Sequence, residues 1–206
     1  MKPKKLYSLQ RIATAVILTL MIFPACSQQS MQRAGQGAAS GAVVGAVGGM
    51  VSALVFGGNV GEAAARGAVY GGSTGAAAGA ISGAVADSNQ KKAQQAAELE
   101  ALRKRLGDDA FNGLAALVEC KHEVAQGYGR TAATSDNTDF ALAGLWLQVI
   151  TYADSREEDQ ARALFPDLVE KDSKLSSESQ AESEMQAARK KLMDIRQEYK
   201  LPRECG

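Results

Sequence analysis

The strongest pattern along the chain is a spacing. From Ala34 to Ala86 glycine returns every fourth residue in two runs, Gly37, Gly41, Gly45 and Gly49, then Gly67, Gly71, Gly75, Gly79 and Gly83. Ala and Val fill most positions between, with Met50, Leu54 and Ile81 as the bulkier members. Glycine costs about 1 kcal/mol against alanine inside a helix, so this spacing would ruin a helix surrounded by water. Away from water it lays a strip of bare backbone along one helix face, against which a second helix can press closely. Gly57-Gly58-Asn59-Val60-Gly61 interrupts the two runs with residues that tolerate positive φ, which predicts a reversing turn. Glu62 then falls in the first turn of the second helix, where a carboxylate suits the helix dipole. The first arm, Gly37 to Phe56, would be about 30 Å long as helix, close to the thickness of a bilayer's hydrocarbon core.

After Asn89 the pattern changes. Gln90 to Leu106 predicts a solvated helix with Leu99, Leu102 and Leu106 on one face, ended by Gly107. A helix capped by Asp108 or Asp109 follows to about Gln126, with Phe111, Leu114, Leu117 and Val118 facing a core, and Gly127-Tyr128-Gly129 with Thr134–Asn137 forms the predicted break. Thr138 to Ala153 is apolar on nearly all sides, the signature of a buried central helix. Ser155 with Glu158 reads as a capping box, and Pro166 should kink or restart the helix it opens. The last helix, from Ser176–Ser177 to about Lys200, spaces Ala181, Met185, Ala188, Leu192, Ile195 and Tyr199 by fours and threes. That seam suits either the chain's own bundle or a coiled-coil partner.

Composition adds one asymmetry. The formal net charge is zero, yet Lys2, Lys4, Lys5 and Arg11 precede any acid. A basic start, an apolar run from Ile12 to Phe23 and then small residues predict an export signal, too short to span a bilayer comfortably. No block of Lys and Arg interleaved with aromatics supports nucleic-acid binding. Ser27–Arg33 has the composition of a solvated tether.

Two resemblances follow from these residues. Phe23-Pro24-Ala25-Cys26 resembles the lipobox of bacterial lipoproteins, which implies that Cys26 is lipidated and becomes the mature N-terminus. Phe23 and Pro24 depart from the usual residues at their positions. Ser27 after the cysteine implies sorting to the outer membrane. GAASGAVVGAVGG and GAVYGGSTGAAAGAISGA resemble the glycine-zipper domains of bacterial envelope proteins, including the 2TM and YMGG-like groups. That resemblance implies a membrane-associated helical hairpin that self-associates through its glycine faces. With Cys26 taken by lipid, Cys120 and Cys205 remain as an even pair, which an oxidising compartment favours as a disulfide.

Little chemistry is visible besides. His122 is the sole histidine, and Gln126 stands where a second zinc-binding histidine would be. Cys120 and His122, two apart on a helix, would face different ways. His122 is therefore expected at the surface, with no metal site, no cofactor and no catalytic set. Gly35-x-Gly37 has no strand before it and no βαβ unit around it, so it is no phosphate loop. The expected fold is all-α: a signal peptide over 1–25, a tether over 26–33, a glycine-zipper hairpin over 34–88 and a periplasmic helical domain over 89–206. The expected role is that of a non-enzymatic envelope lipoprotein, structural in outer-membrane integrity or self-assembly. Its partners would be membrane lipid and copies of itself. The alternative is an adaptor whose helical bundle binds a periplasmic protein.

Overall fold

The computed structural model describes residues 27–77 and 86–205, and every element in them is a helix. In order these are α1 (Ser27–Phe56), α2 (Val60–Ala77), α3 (Ala86–Leu106), α4 (Asp108–Val118), α5 (His122–Ala133), α6 (Thr138–Asp154), α7 (Glu158–Arg162), α8 (Phe165–Lys171) and α9 (Glu178–Glu198). The fold is all-α.

α1 and α2 form the hairpin, turning at Gly57 and Gly58 with φ of 82° and 134°. Asn59 Oδ1 accepts a 2.9 Å bond from the Glu62 amide and so caps α2. The two helices meet backbone to backbone. A Cβ on Gly45 would collide with the Gly67 carbonyl, one on Gly49 with the Ala63 carbonyl, and one on Gly71 with the Gly41 carbonyl. Gly37 and Gly75 lie within α1 and α2, whereas Gly79 and Gly83 lie outside the described residues. So do Cys26 and the segment 1–25.

Two boundaries differ from expectation. α1 begins at Ser27, so residues 27–33, expected as a tether, are its opening turns; Gln, Met and Arg there are good helix formers. α3 begins at Ala86, so the expected division between residues 88 and 89 falls in its first turn.

At about 100° per residue, Val43, Val47, Met50, Val51 and Leu54 stand on the side of α1 opposite Gly41, Gly45 and Gly49. All five are buried, and they belong to one continuous core with Leu117, Trp146, Leu147, Met185 and Leu192. The hairpin and the C-terminal helices thus share a single apolar interior. At its centre lies α6, packed on α1, α3, α4, α5, α7, α8 and α9, with every residue from Ala141 to Thr151 buried. Asn137 starts α6, its Oδ1 accepting from the amides of Asp139 and Phe140 at 3.0 and 3.2 Å. The seam of α9 (Ala181, Met185, Ala188, Leu192, Ile195) is buried within the chain's own core.

A polar latch fastens the hairpin to this bundle. Lys174 Nζ donates to the Val55 carbonyl at 2.9 Å, satisfying one of the orphan acceptors at the end of α1. The same ammonium pairs with Asp172 Oδ1, and Asp172 Oδ2 accepts from Trp146 Nε1 at 3.3 Å.

The C-terminal helices also break in unexpected places. Gly127 and Gly129 lie inside α5, and the interruption comes earlier, at Cys120, whose φ is 59°. There the Lys121 amide reaches back to the Ala116 carbonyl at 2.9 Å and closes α4. Gly129 is a packing residue: its Cβ would lie 2.7 Å from Gln148 Cγ and 3.2 Å from the Gly144 carbonyl. Ser155 ends α6 instead of opening α7, its hydroxyl donating to the Tyr152 carbonyl at 3.1 Å while Arg156 turns to φ 65°. Pro166 stands in the first turn of α8, where its missing N–H costs no helical bond.

Candidate functional site

The densest chemistry gathers where α4, α6 and α9 end and the C-terminal tail returns. α9 brings Arg196 into the interior, with its side chain fully buried. One guanidinium nitrogen donates to Asp154 Oδ1 at 2.7 Å, and the other to Asp154 Oδ2 at 2.8 Å. The second nitrogen also donates to the Leu117 carbonyl at 2.6 Å, in the last turn of α4, which accepts from the Cys120 amide at 3.1 Å as well. Arg196 therefore closes two helix ends at once: the carboxylate of the residue that finishes α6, and the backbone of α4. Taking these charges out of water is costly, and the bidentate geometry offsets that cost. Arg196 Nε has no partner, a residual desolvation penalty.

His122 completes the cluster from the first turn of α5. Its Nε2 lies 2.7 Å from Asp154 Oδ2. The ionised carboxylate can only accept, so Nε2 carries the proton in this contact. The side chain is 21% exposed. The expected surface histidine is thus half-buried and paired, because α5 starts beneath the end of α6.

The disulfide borders the same group. Cys120 and Cys205 are at bonding distance, with Cα atoms 5.5 Å apart and a sequence separation of 85. The pairing expected from the cysteine count is present in the fold, and it holds the tail against the turn between α4 and α5. Tail placement is helped by Lys200 at φ 59°, by the Leu201 amide bonded to the Arg196 carbonyl at 2.9 Å, and by an exposed Arg156–Glu204 pair. Cys205 Sγ lies 3.4 Å from Asp154 Oδ2; in a disulfide it has no proton to donate, so this is proximity alone. Beside the cluster opens a cavity of about 320 Å³ lined by His122, Ser155, Arg156 and Cys205.

Of the residues singled out from sequence, the fold brings Gly41, Gly45 and Gly49 against the Ala63–Gly71 stretch of α2, and Cys120 against Cys205. It does not bring the two groups together. Asp154 and Arg196 had no sequence signal, since a charged residue beside an apolar seam reads as solvated. Family models, curated proteins and solved structures were all compared with the chain, and none matches it.

Proposed function

We propose that the chain is a non-enzymatic lipoprotein of the bacterial cell envelope, held at the outer membrane by an acylated Cys26. Its hairpin and C-terminal helices would act as one structural body. The observation that carries this reading is the shared core. The bulky apolar face of α1 is used on the chain's own helices, and the glycine faces at 41–49 and 67–71 are occupied by one another. Membrane attachment is then left to an acyl chain, and the lipobox-like Ala25-Cys26 supplies its site. A cysteine pair at bonding distance suits an oxidising compartment outside the cytoplasm. The resemblance to glycine-zipper envelope proteins rests on the glycine spacing.

The competing reading keeps the hairpin itself in the membrane. No helix among the described residues is long and apolar enough to cross a bilayer. One experiment separates the two. Radiolabelled palmitate should enter wild type and not Cys26→Ser, which should accumulate as unprocessed precursor, and residues 27–206 carried behind an ordinary cleavable secretory signal should enter the soluble fraction. Retention of that unlabelled, processed chain in the membrane fraction would assign attachment to the hairpin. Absence of label from wild type would end the lipoprotein reading.

A further inference from the structure

We propose that reducing the Cys120–Cys205 bond converts this corner of the molecule into a zinc site, built from both cysteine sulfurs, His122 Nε2 and Asp154 Oδ2. The observation is a juxtaposition. Donor atoms of His122, Asp154 and Cys205 all lie within 4.8 Å of one another, and the Cys120 sulfur is the one bonded to Cys205. One imidazole, one carboxylate and two sulfurs are four donors of the kinds that Zn²⁺ takes. A tetrahedral zinc centre, with Zn–S near 2.3 Å and Zn–N and Zn–O near 2.0–2.1 Å, sets its donors roughly 3.3–3.8 Å apart. His122 Nε2 and Asp154 Oδ2 are at 2.7 Å, and Cys205 Sγ and Asp154 Oδ2 at 3.4 Å, so these two pairs adjust by less than about an ångström, while the two sulfurs, no longer bonded to each other, part to about 3.8 Å. Paired thiolates with imidazole select zinc over the hard cations Mg²⁺ and Ca²⁺.

The surroundings suit a metal as well. Arg196 holds Asp154 through both oxygens and is itself tied to Leu117, so the carboxylate is oriented before any ion arrives. The adjoining cavity, lined by His122 and Cys205, gives an ion a route to these donors.

The chemistry balances simply. Two molecules of a small thiol each give up a hydrogen and join as their own disulfide; the S–S bond between Cys120 and Cys205 breaks and two thiols remain. Zinc then displaces the two thiol protons to solvent, while the neutral imidazole shifts its proton to Nδ1 and offers the Nε2 lone pair. Disulfide and zinc exclude each other, and each ties the same three pieces together: the α4–α5 turn, the end of α6 and the tail. The tail would stay docked in either redox state, by one staple or by the other.

The test uses the purified full-length chain and Co²⁺ as a spectroscopic stand-in for zinc. Reduced wild type should bind one equivalent, with sulfur-to-cobalt charge-transfer bands and the intense visible bands of tetrahedral cobalt, and Zn²⁺ should bleach both. Oxidised wild type should show neither. Reduced His122→Ala should bind at least about tenfold more weakly, and reduced Cys205→Ser should lose the charge-transfer bands. Equal cobalt binding by oxidised protein, or by His122→Ala, would overturn the site. So would a reduced chain whose helical circular dichroism is lost and not restored by Zn²⁺.

Discussion

The two arms of the hairpin look alike in sequence and live in different surroundings. Both carry glycine every fourth residue, and both give that face to the other arm. Their opposite faces diverge. Behind the glycines of α1 stand Val43, Val47, Met50 and Leu54, all buried; behind those of α2 stand Glu62, Ala65 and Val69, all exposed, Val69 at 57%. α1 is therefore an interior helix with two covered sides, and α2 is a cover with one. The lesson is that glycine spacing decides which faces of two helices meet, while the large side chains behind decide which helix enters the core.

That contrast can be broken by truncation. Met50→Ala, behind the α1 glycines, should lower unfolding free energy by about 2–5 kcal/mol, while Val69→Ala at the matching place on α2 should change it by less than about 0.5 kcal/mol, both read by urea denaturation. Comparable losses would mean that α2 is covered in solution.

The shared face should instead respond alike from both sides. Gly45→Ala and Gly67→Ala each drive a methyl into the other helix's carbonyl and should cost about 1–3 kcal/mol apiece. Gly127→Ala is the control, since its Cβ would meet nothing within 4 Å. There the helix propensity of alanine should stabilise α5 by about 0.5–1 kcal/mol.

The smallest effect sits where α9 flanks the cover, around a shallow cavity of about 250 Å³ lined by Val69, Ile195 and Tyr199 among others. Burial, and then the charge of Glu198, raise the Tyr199 phenol above its ordinary 10.0. A raised folded value means that its stabilising share is complete below pH 10 and is lost as pH climbs through the folded value. Tyr199→Phe should therefore flatten the alkaline end of the stability profile slightly. An unchanged profile would show the phenol already hydrated.

Much of this fold was legible in the sequence. The hairpin turn came from Gly57 to Gly61, the central helix from the unbroken apolarity of Thr138–Ala153, and the restart from Pro166. The asymmetry of the arms was also written there, in Met50 and Leu54 against Glu62 and Ala65, and needed only a helical wheel. Other features were hidden by rules that hold on average. Glycines punctuate helices, so Gly127 and Gly129 read as a break; close approach of α6 makes Gly129 a contact, and a cysteine without glycine takes the left-handed turn. The polar cluster could not be seen at all. His122 lies 32 positions from Asp154, and Asp154 lies 42 from Arg196, so no local spacing links them.

The latch between Lys174 and Val55 has a temporal consequence. Its partners are 119 positions apart, and the disulfide closes only when residue 205 has been made. Synthesis runs from the N-terminus, so α1 and α2 can pair early and locally, whereas the valine side of α1 must wait for most of the chain. A hairpin formed that early would leave the valine flank of α1 uncovered until the later helices dock, the last of them only when α9 is complete.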